Sequence, residues 1–420
     1  MNTLPWGDVP SLLVGGATAR LLSVLQIRDF RLLWLSSAAW YVARWVDTVT
    51  TGWLALSLTD SPVFLAVIGA CRTLPLLIFG IAGGALASRF ARRSVLVAAL
   101  AVGVVLSGWL TVAAALNTIQ PWQLVVTTLA TNTLWAIGFP SQRSLIAETT
   151  AGRASLANAL ALDNLVFVGS NFVFSAVAGA TIPLAGSQGA YLIALAAFVV
   201  ALPLLIALRQ PSPVVPSLAG RSVEAGYRAM IRRPVIGGVL AISVAMNGLA
   251  LPLIQFLPLI ARETLQVGPA QLGLLVSAWG GGSLIGNLAL FVLSPRRAGL
   301  LFAVGSLGAA VALFGTSLAT AYPVALALIL LSGVLMSLFG TYQSTLIIEA
   351  AGLQDRAKAL GALTVAIGVQ PIGVLAIGWL ASVTSAQLAI PIATLAAVVA
   401  IGIVALLFPG MVAHRSRLSG

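Results

Sequence analysis

Long apolar runs separated by short polar breaks fill most of the chain. They lie at about 32–57, 62–87, 94–116, 121–147, 156–181, 187–208, 235–260, 270–294, 298–319, 323–348, 359–383 and 386–409. A helix of roughly 20 apolar residues crosses a hydrocarbon core of about 30 Å, and each run reaches that length. The pattern predicts an all-α membrane protein with twelve transmembrane helices. The longest polar stretch, Arg209 to Arg233, holds Pro211, Pro213, Pro216 and five arginines. It separates six runs from six. The expected organisation is an N-terminal segment 1–31, a six-helix half 32–208, a linker 209–233, a second six-helix half 234–409 and a tail 410–420.

Charge placement tests this division. With the N-terminus in the cytoplasm, 19 of the 22 basic residues fall on cytoplasmic segments. The opposite side receives only Arg262, while Arg44 and Arg72 fall inside runs. This is the positive-inside pattern. It predicts both termini and the linker on the cytoplasmic side. It also accounts for the net charge of +12 without nucleic acid, because cations concentrate at the anionic inner leaflet.

Composition narrows the chemistry. The chain is 60% hydrophobic and 8% charged, against about 25% charged in soluble domains. The single cysteine, Cys71, excludes an intramolecular disulfide. One cysteine and one histidine, His414, cannot build a zinc or iron site. The only lysine, Lys358, follows no glycine-rich phosphate loop. No metal or other cofactor is expected. An enzyme embedded in the membrane would need clustered His, Asp, Glu or Cys in the runs, and the chain has too few. Leu12 to Gly16 is too short an apolar run for a signal peptide, and Arg20 breaks any extension of it.

The two halves echo each other at a shift of about 201 residues. Gln142-x-x-Leu145-Ile146-x-Glu148 aligns with Gln343-x-x-Leu346-Ile347-x-Glu349. Pro121 and Pro323 open the corresponding fourth and tenth runs, Gly138 and Gly340 sit at matching places within them, and Arg92–Arg93 and Arg296–Arg297 follow the second and eighth runs. Duplicated halves around a central loop are a transporter pattern.

Several stretches carry a family likeness. Trp45, Gly52-Trp53-Leu54 and Leu58-Thr59-Asp60-Ser61-Pro62 form one, and Arg72-Thr73-Leu74-Pro75 a second. Gly84-Ala85-Leu86-Ala87-Ser88-Arg89-Phe90-Ala91-Arg92-Arg93 resembles a signature loop between the second and third spans. Pro140, Arg143 and Leu156-Ala157-Asn158-Ala159 match the region joining the fourth and fifth. Over nearly its whole length the chain resembles the major facilitator superfamily, in particular its drug and siderophore exporter branch with macrolide-efflux and enterobactin-exporter relatives. There are departures. Ser88 stands where the signature loop has an aspartate and Ala91 where it has a glycine. The acid common in the first span falls at Arg44, with Asp47 one turn later. Phe174–Ser175 replaces the Gly-Pro pair of span five, while span eleven keeps Gly368-x-x-Pro371-x-Gly373.

A charge at mid-bilayer costs about 2.5–3.5 kcal/mol on insertion scales, so ionisable residues there are functional candidates. Arg44, Asp47, Arg72 and Asp163 qualify. Arg44 and Asp47 share a helix face that Thr48 and Thr51 continue. Asp47 and Asp163 are the candidates for proton coupling. A structural Arg44–Asp47 pair is the competing reading of Asp47, and a bond to Arg153 or Asn158 that of Asp163. Arg44, Asp47, Arg72, Asn247, Gln255, Gln343 and Gln370 are the cavity candidates. The resemblance implies a cytoplasmic gate of Arg89, Arg92, Arg93, Glu148 and Glu349. Trp40, Trp45, Trp53, Trp135 and Trp279 read as interface anchors. Gly80, Gly83, Gly84, Gly280, Gly281 and Gly282 suit close helix packing.

The expected protein is a secondary active transporter, a proton-coupled exporter of a small amphiphilic organic molecule such as a drug-like compound or siderophore. An uptake symporter and a non-transporting sensor on the same fold are the alternatives. Its expected partners are the small-molecule substrate, protons and membrane lipid. It is expected to be a monomer in a bacterial cytoplasmic (inner) membrane. On this topology, cysteines placed at Asn117 and Gly189 in a Cys71→Ser background react with an impermeant thiol reagent added to intact cells. A cysteine at Ser217 does not, and its labelling from outside would overturn the orientation.

Overall fold

The computed structural model describes residues 23–87, 91–152, 155–209, 233–293 and 297–415. Among them all regular structure is helical. Helices α1 (Arg28–Thr59), α2 (Pro62–Ala87), α3 (Arg92–Ala115), α4 (Pro121–Thr150) and α5 (Leu156–Ile206) precede the linker. After it come α6 (Pro234–Thr264), α7 (Pro269–Leu293), α8 (Ala298–Leu318), α9 (Tyr322–Ile367), α10 (Gln370–Val383) and α11 (Ala386–Leu407). Nine helical stretches among the described residues are long and apolar enough to cross a membrane. Helices α1 and α4, of 32 and 30 residues, are long enough but too polar to be among them.

Helix is the only element these apolar runs can form in lipid without closing a barrel, because each backbone amide must find its partner within the segment. Prolines mark where the runs begin. Pro62, Pro121, Pro234 and Pro269 each open a helix, where a missing N–H costs nothing. The fifth and sixth apolar runs form one continuous stretch, α5, turned at Gly186. There φ is 69°, a conformation that glycine adopts without steric cost. Gly352 turns α9 in the same way, with φ 72°.

Two helices after the linker are not regular. In α6, α-helix gives way at Met246–Ala250 to a π-helical turn and at Leu251–Phe256 to a 3-10 turn, with a second π turn at Ile260–Thr264. Pro252 and Pro258 each remove a donor from the ladder in this stretch. The expected eleventh span breaks at Gly368–Val369, so that Gln370 begins a new helix. The two breaks pack together. A Cβ on Gly373 would run into the Gly248 carbonyl, and one on Gly248 would lie 3.3 Å from Val369.

Before the linker, α1 packs chiefly on α5, α2 on α4, and α3 on both α4 and α5. After it, α9 packs against α6, α7 and α8, and α11 against α8 and α10. Two main seams join the groups, α5 with α7 and α2 with α10. The first is a backbone-to-backbone approach. A Cβ on Gly179 would lie 2.7 Å from the Cα of Gly273. Gly280 and Gly281 likewise press on Asn171 and Phe172 of α5, while Gly282 faces the Leu330 carbonyl of α9. The expectation of close packing at these three glycines is met. The surroundings of Gly80, Gly83 and Gly84 lie outside the described side chains.

The outer surface is apolar, with Leu184 86% and Leu406 82% exposed. Polar groups turn inward instead. Gln142, Asp163, Asn171, Asn247 and Gln343 are all buried. This inversion of soluble-protein packing makes the chain a multi-pass membrane protein.

Gly282→Ala is expected to lower stability by about 1–3 kcal/mol, since the added methyl meets backbone that cannot move aside. Gly402→Ala, with open space around it, is the control and should melt with the parent in detergent. Equal melting of the two variants would contradict this packing.

Candidate substrate cavity and buried charges

Helix α1 presents its polar stripe to the interior. Arg44 Nη1 donates to Asn132 Oδ1 of α4 at 3.0 Å, and its guanidinium lies 4.4 Å from the Trp135 ring centroid. Cation–π contact is stronger where water is excluded. Asp47 accepts from Thr51 Oγ1 at 2.9 Å, and Thr51 in turn meets the Tyr191 hydroxyl at 3.1 Å. Arg72 on α2 donates through Nη2 to the Thr48 carbonyl at 3.0 Å, and its Nε has no hydrogen-bond partner among the described residues. The three-residue spacing suggested an Arg44–Asp47 pair. Among the described ion pairs there is none between Asp47 and either Arg44 or Arg72. The Arg44 side chain is drawn to α4 instead.

These side chains line two voids that share Arg44 and Thr48 in their walls. A central cavity of about 230 Å³ lies between the two groups of helices. Arg44, Thr48 and Arg72 face it from one side, and Gln255, Trp279 and Gln370 from the other. Arg44 and Thr48 also border a smaller void of about 30 Å³, where Asp47 lies with Trp40 and Asn132. That is room for about one water molecule. Both helix breaks reach the central cavity, through Leu251, Ile254 and Gln255 on α6 and Gln370 at the start of α10. Asn247 and Gln343 line neither void. Asn247 donates to the Ser243 carbonyl at 2.9 Å, and Gln343 to the Ser243 hydroxyl at 2.7 Å.

Asp163 occupies a different place. Its carboxylate accepts from the Tyr41 hydroxyl at 3.0 and 3.1 Å and from Gln142 Nε2 at 3.1 Å, with Arg143 Nη2 at 3.8 Å. Among the described residues these are its partners, in place of Asn158, and Arg153 lies outside the described residues. Gln142 also donates to Ser37 at 2.8 Å. The Gln142–Ser37 bond repeats as Gln343–Ser243 on the other side of the linker. Four residues after Ser37 and Ser243 stand Tyr41 and Asn247, and 201 residues after Asp163 stands Thr364, so the second contact has no carboxylate at the matching places.

At the arginine-rich end, Arg92 pairs with Glu148, Arg93 donates to the Ile206 carbonyl, and Glu349 meets His414 Nε2 at 3.1 Å. Arg89 lies outside the described residues. At the opposite end Arg262 donates to the Leu56 carbonyl at 3.0 Å and pairs with Asp60, tying α6 to α1.

The tryptophans depart from expectation. Trp40 is buried, edge-on to Trp135 with centroids 5.2 Å apart, and Trp45 and Trp279 line the cavity. Trp45 Nε1 donates to the Phe167 carbonyl at 3.2 Å. Sequence reasoning missed Ser37, Tyr41, Asn132 and Tyr191 as site partners. It also missed the α6 break, although Pro252 and Pro258 flank it.

Helices of this length, broken beside a polar cavity that both groups of helices line, form a transporter fold. The chain matches the transmembrane secretion effector family over residues 19–417. It belongs to that family. No curated protein matches the sequence. A bacterial homologue of the human lysosomal transporter Spinster, in an inward-facing and unoccupied conformation, is similar in structure. Its TM-score is 0.68 at 14% identity, over 92% of this chain and 97% of that one. The nucleoside transporter NupG has TM-score 0.65 at 14% identity, over 92% and 98%. A POT family transporter bound to a thioalcohol-conjugated peptide has TM-score 0.72 at 10% identity, over 91% and 96%. These neighbours are transporters of the major facilitator type, and the secretion effector chain shares their fold.

The Asp163 cluster yields a stability prediction. Tyr41→Phe removes the hydroxyl that donates to Asp163 and accepts from Gln142 at 2.6 Å. Leaving buried groups unpaired costs about 1–3 kcal/mol. The purified variant should melt earlier than the parent, and an unchanged melting temperature would remove Tyr41 from the cluster's support.

Proposed function

We propose that the protein is a proton-coupled exporter of a small amphiphilic organic molecule, within the drug and siderophore branch. Twelve helices form two pseudo-symmetric six-helix halves that rock about the α5–α7 and α2–α10 seams. The termini and linker are cytoplasmic, in a bacterial inner membrane, and the working unit is a monomer. The observation that carries this reading is the central cavity, lined by charged groups from one half and by neutral polar and aromatic groups from the other. A site shared across two rocking bodies is what alternating access needs. The secretion effector family supports the outward direction. The Gln142–Ser37 and Gln343–Ser243 pair supports the duplication.

Asp47 is the coupling residue. Its carboxylate has one hydroxyl donor and borders a void that adjoins the cavity. Asp163 is held by two hydrogen-bond donors and an ion pair with Arg143, away from both voids, which suits a brace between α1, α4 and α5. Arg92, Arg93, Glu148 and Glu349, with Arg89, form the cytoplasmic gate.

Asp47→Asn mimics the protonated acid. Arg44 keeps Asn132 and Trp135 as partners, so the variant should fold. In proteoliposomes it should exchange substrate down a gradient and lose accumulation driven by an imposed pH gradient, by about tenfold or more if coupling is worth at least ~1.4 kcal/mol. Full pH-driven accumulation in a stable Asp47→Asn protein would overturn the assignment. Loss of folding would restore the structural reading of Asp47.

A further inference from the structure

We infer that the cavity selects an anionic amphiphile, with the acid group of the solute between Arg44 and Arg72 and its apolar body against Trp45, Trp279 and Leu251. This rests on reading the cavity as the transport site. The charge count points to it. Two guanidinium groups border the central cavity, and no carboxylate lines it. The nearest acid, Asp47, lies at the smaller void and forms no ion pair with either arginine.

The partners of the arginines are neutral. Arg44 has an amide oxygen and an indole face, and Arg72 a backbone carbonyl, with Nε unpaired. Asp47 acts on both arginines through space, but one negative charge faces two positive ones, so a net cation stays partly withdrawn from water and an incoming anion relieves that cost. Carboxylate, sulfonate and phosphate oxygens match the planar guanidinium fork. A cationic solute would face two like charges at the cavity wall, with the one nearby acid, Asp47, at the smaller void.

The opposite wall suits the rest of such a molecule. Trp279, Leu251, Ile254, Val276 and Met336 supply an apolar face, and Gln255 and Gln370 supply two neutral amides within it. The broken backbone of α6 carries Leu251, Ile254 and Gln255, so this wall can adjust to bodies of different shape while the α1–α2 wall keeps the charge.

The test compares 2-naphthoate with 2-naphthamide, which share a body and differ in charge, by calorimetric titration of the purified full chain. Naphthoate should bind tighter by about tenfold or more, as expected for a charge-assisted contact. Arg44→Gln and Arg72→Gln should each reduce that preference, and Arg72→Lys should retain part of it. The parent comparison stands even where a glutamine variant fails to fold. Equal affinity for the two probes, or no binding of either at millimolar concentration, would overturn the inference. A preference for naphthoate without pH-driven transport would leave it in place and overturn the coupled-transport reading. Transport of neutral solutes with no preference for the anion would do the reverse.

Discussion

A backbone amide in hydrocarbon has no water to turn to, and this limits every other choice the chain makes. It forces helix along the apolar runs and sends each polar side chain toward another helix. Threonines show the local response. Thr48, Thr50, Thr127 and Thr131 return their hydroxyls to carbonyls one turn back, so that few are left unpaired. The longer groups cannot do this. Arg44, Gln142 and Asp163 must reach across to neighbouring helices, and they thereby decide which helices lie side by side.

The two groups of helices divide the work unequally. The one before the linker holds the interior charges, Arg44, Asp47 and Arg72 half-buried and Asp163 buried, on helices without backbone breaks at those positions. The one after it offers neutral groups on α6 and α10, whose backbones are interrupted at Met246–Phe256 and Gly368–Val369. Fixing charge on regular helices keeps it within reach of its partners. Irregular turns have weaker intrahelical bonding, and they lie where the opposite wall has no charge to hold. The same contact, glutamine to serine, occurs in both groups beneath this difference.

The spans were readable because the signal is local. Apolar length and flanking prolines are enough to place Pro62–Ala87 or Ala298–Leu318 within a residue of the expected bounds. The α6 break left no mark on hydropathy, because a π or 3-10 turn is as apolar as an α turn. Only Pro252 and Pro258 hinted at it. The charged groups were readable as candidates but not in their pairings. Spacing placed Arg44 beside Asp47, whereas the partners that won, Asn132 and Trp135, lie 88 or more residues away. Asp163 likewise found Tyr41, 122 residues distant. Contacts of that range depend on helix order, which hydropathy does not encode.

The bond between Asp60 and Arg262 is made at the rim of the bundle, with the Asp60 side chain 73% exposed. Such pairs are worth about 0–1 kcal/mol and weaken as ions accumulate around them, over a Debye length of about 8 Å at physiological strength. The companion bond from Arg262 to the Leu56 carbonyl has no charge on its acceptor and is less sensitive to salt. The tie between α1 and α6 at this end therefore has one salt-sensitive and one salt-tolerant component. Raising the ionic strength around this end would loosen the first and keep the second, so the salt content of the medium that bathes it becomes a variable in how firmly α1 and α6 are joined there.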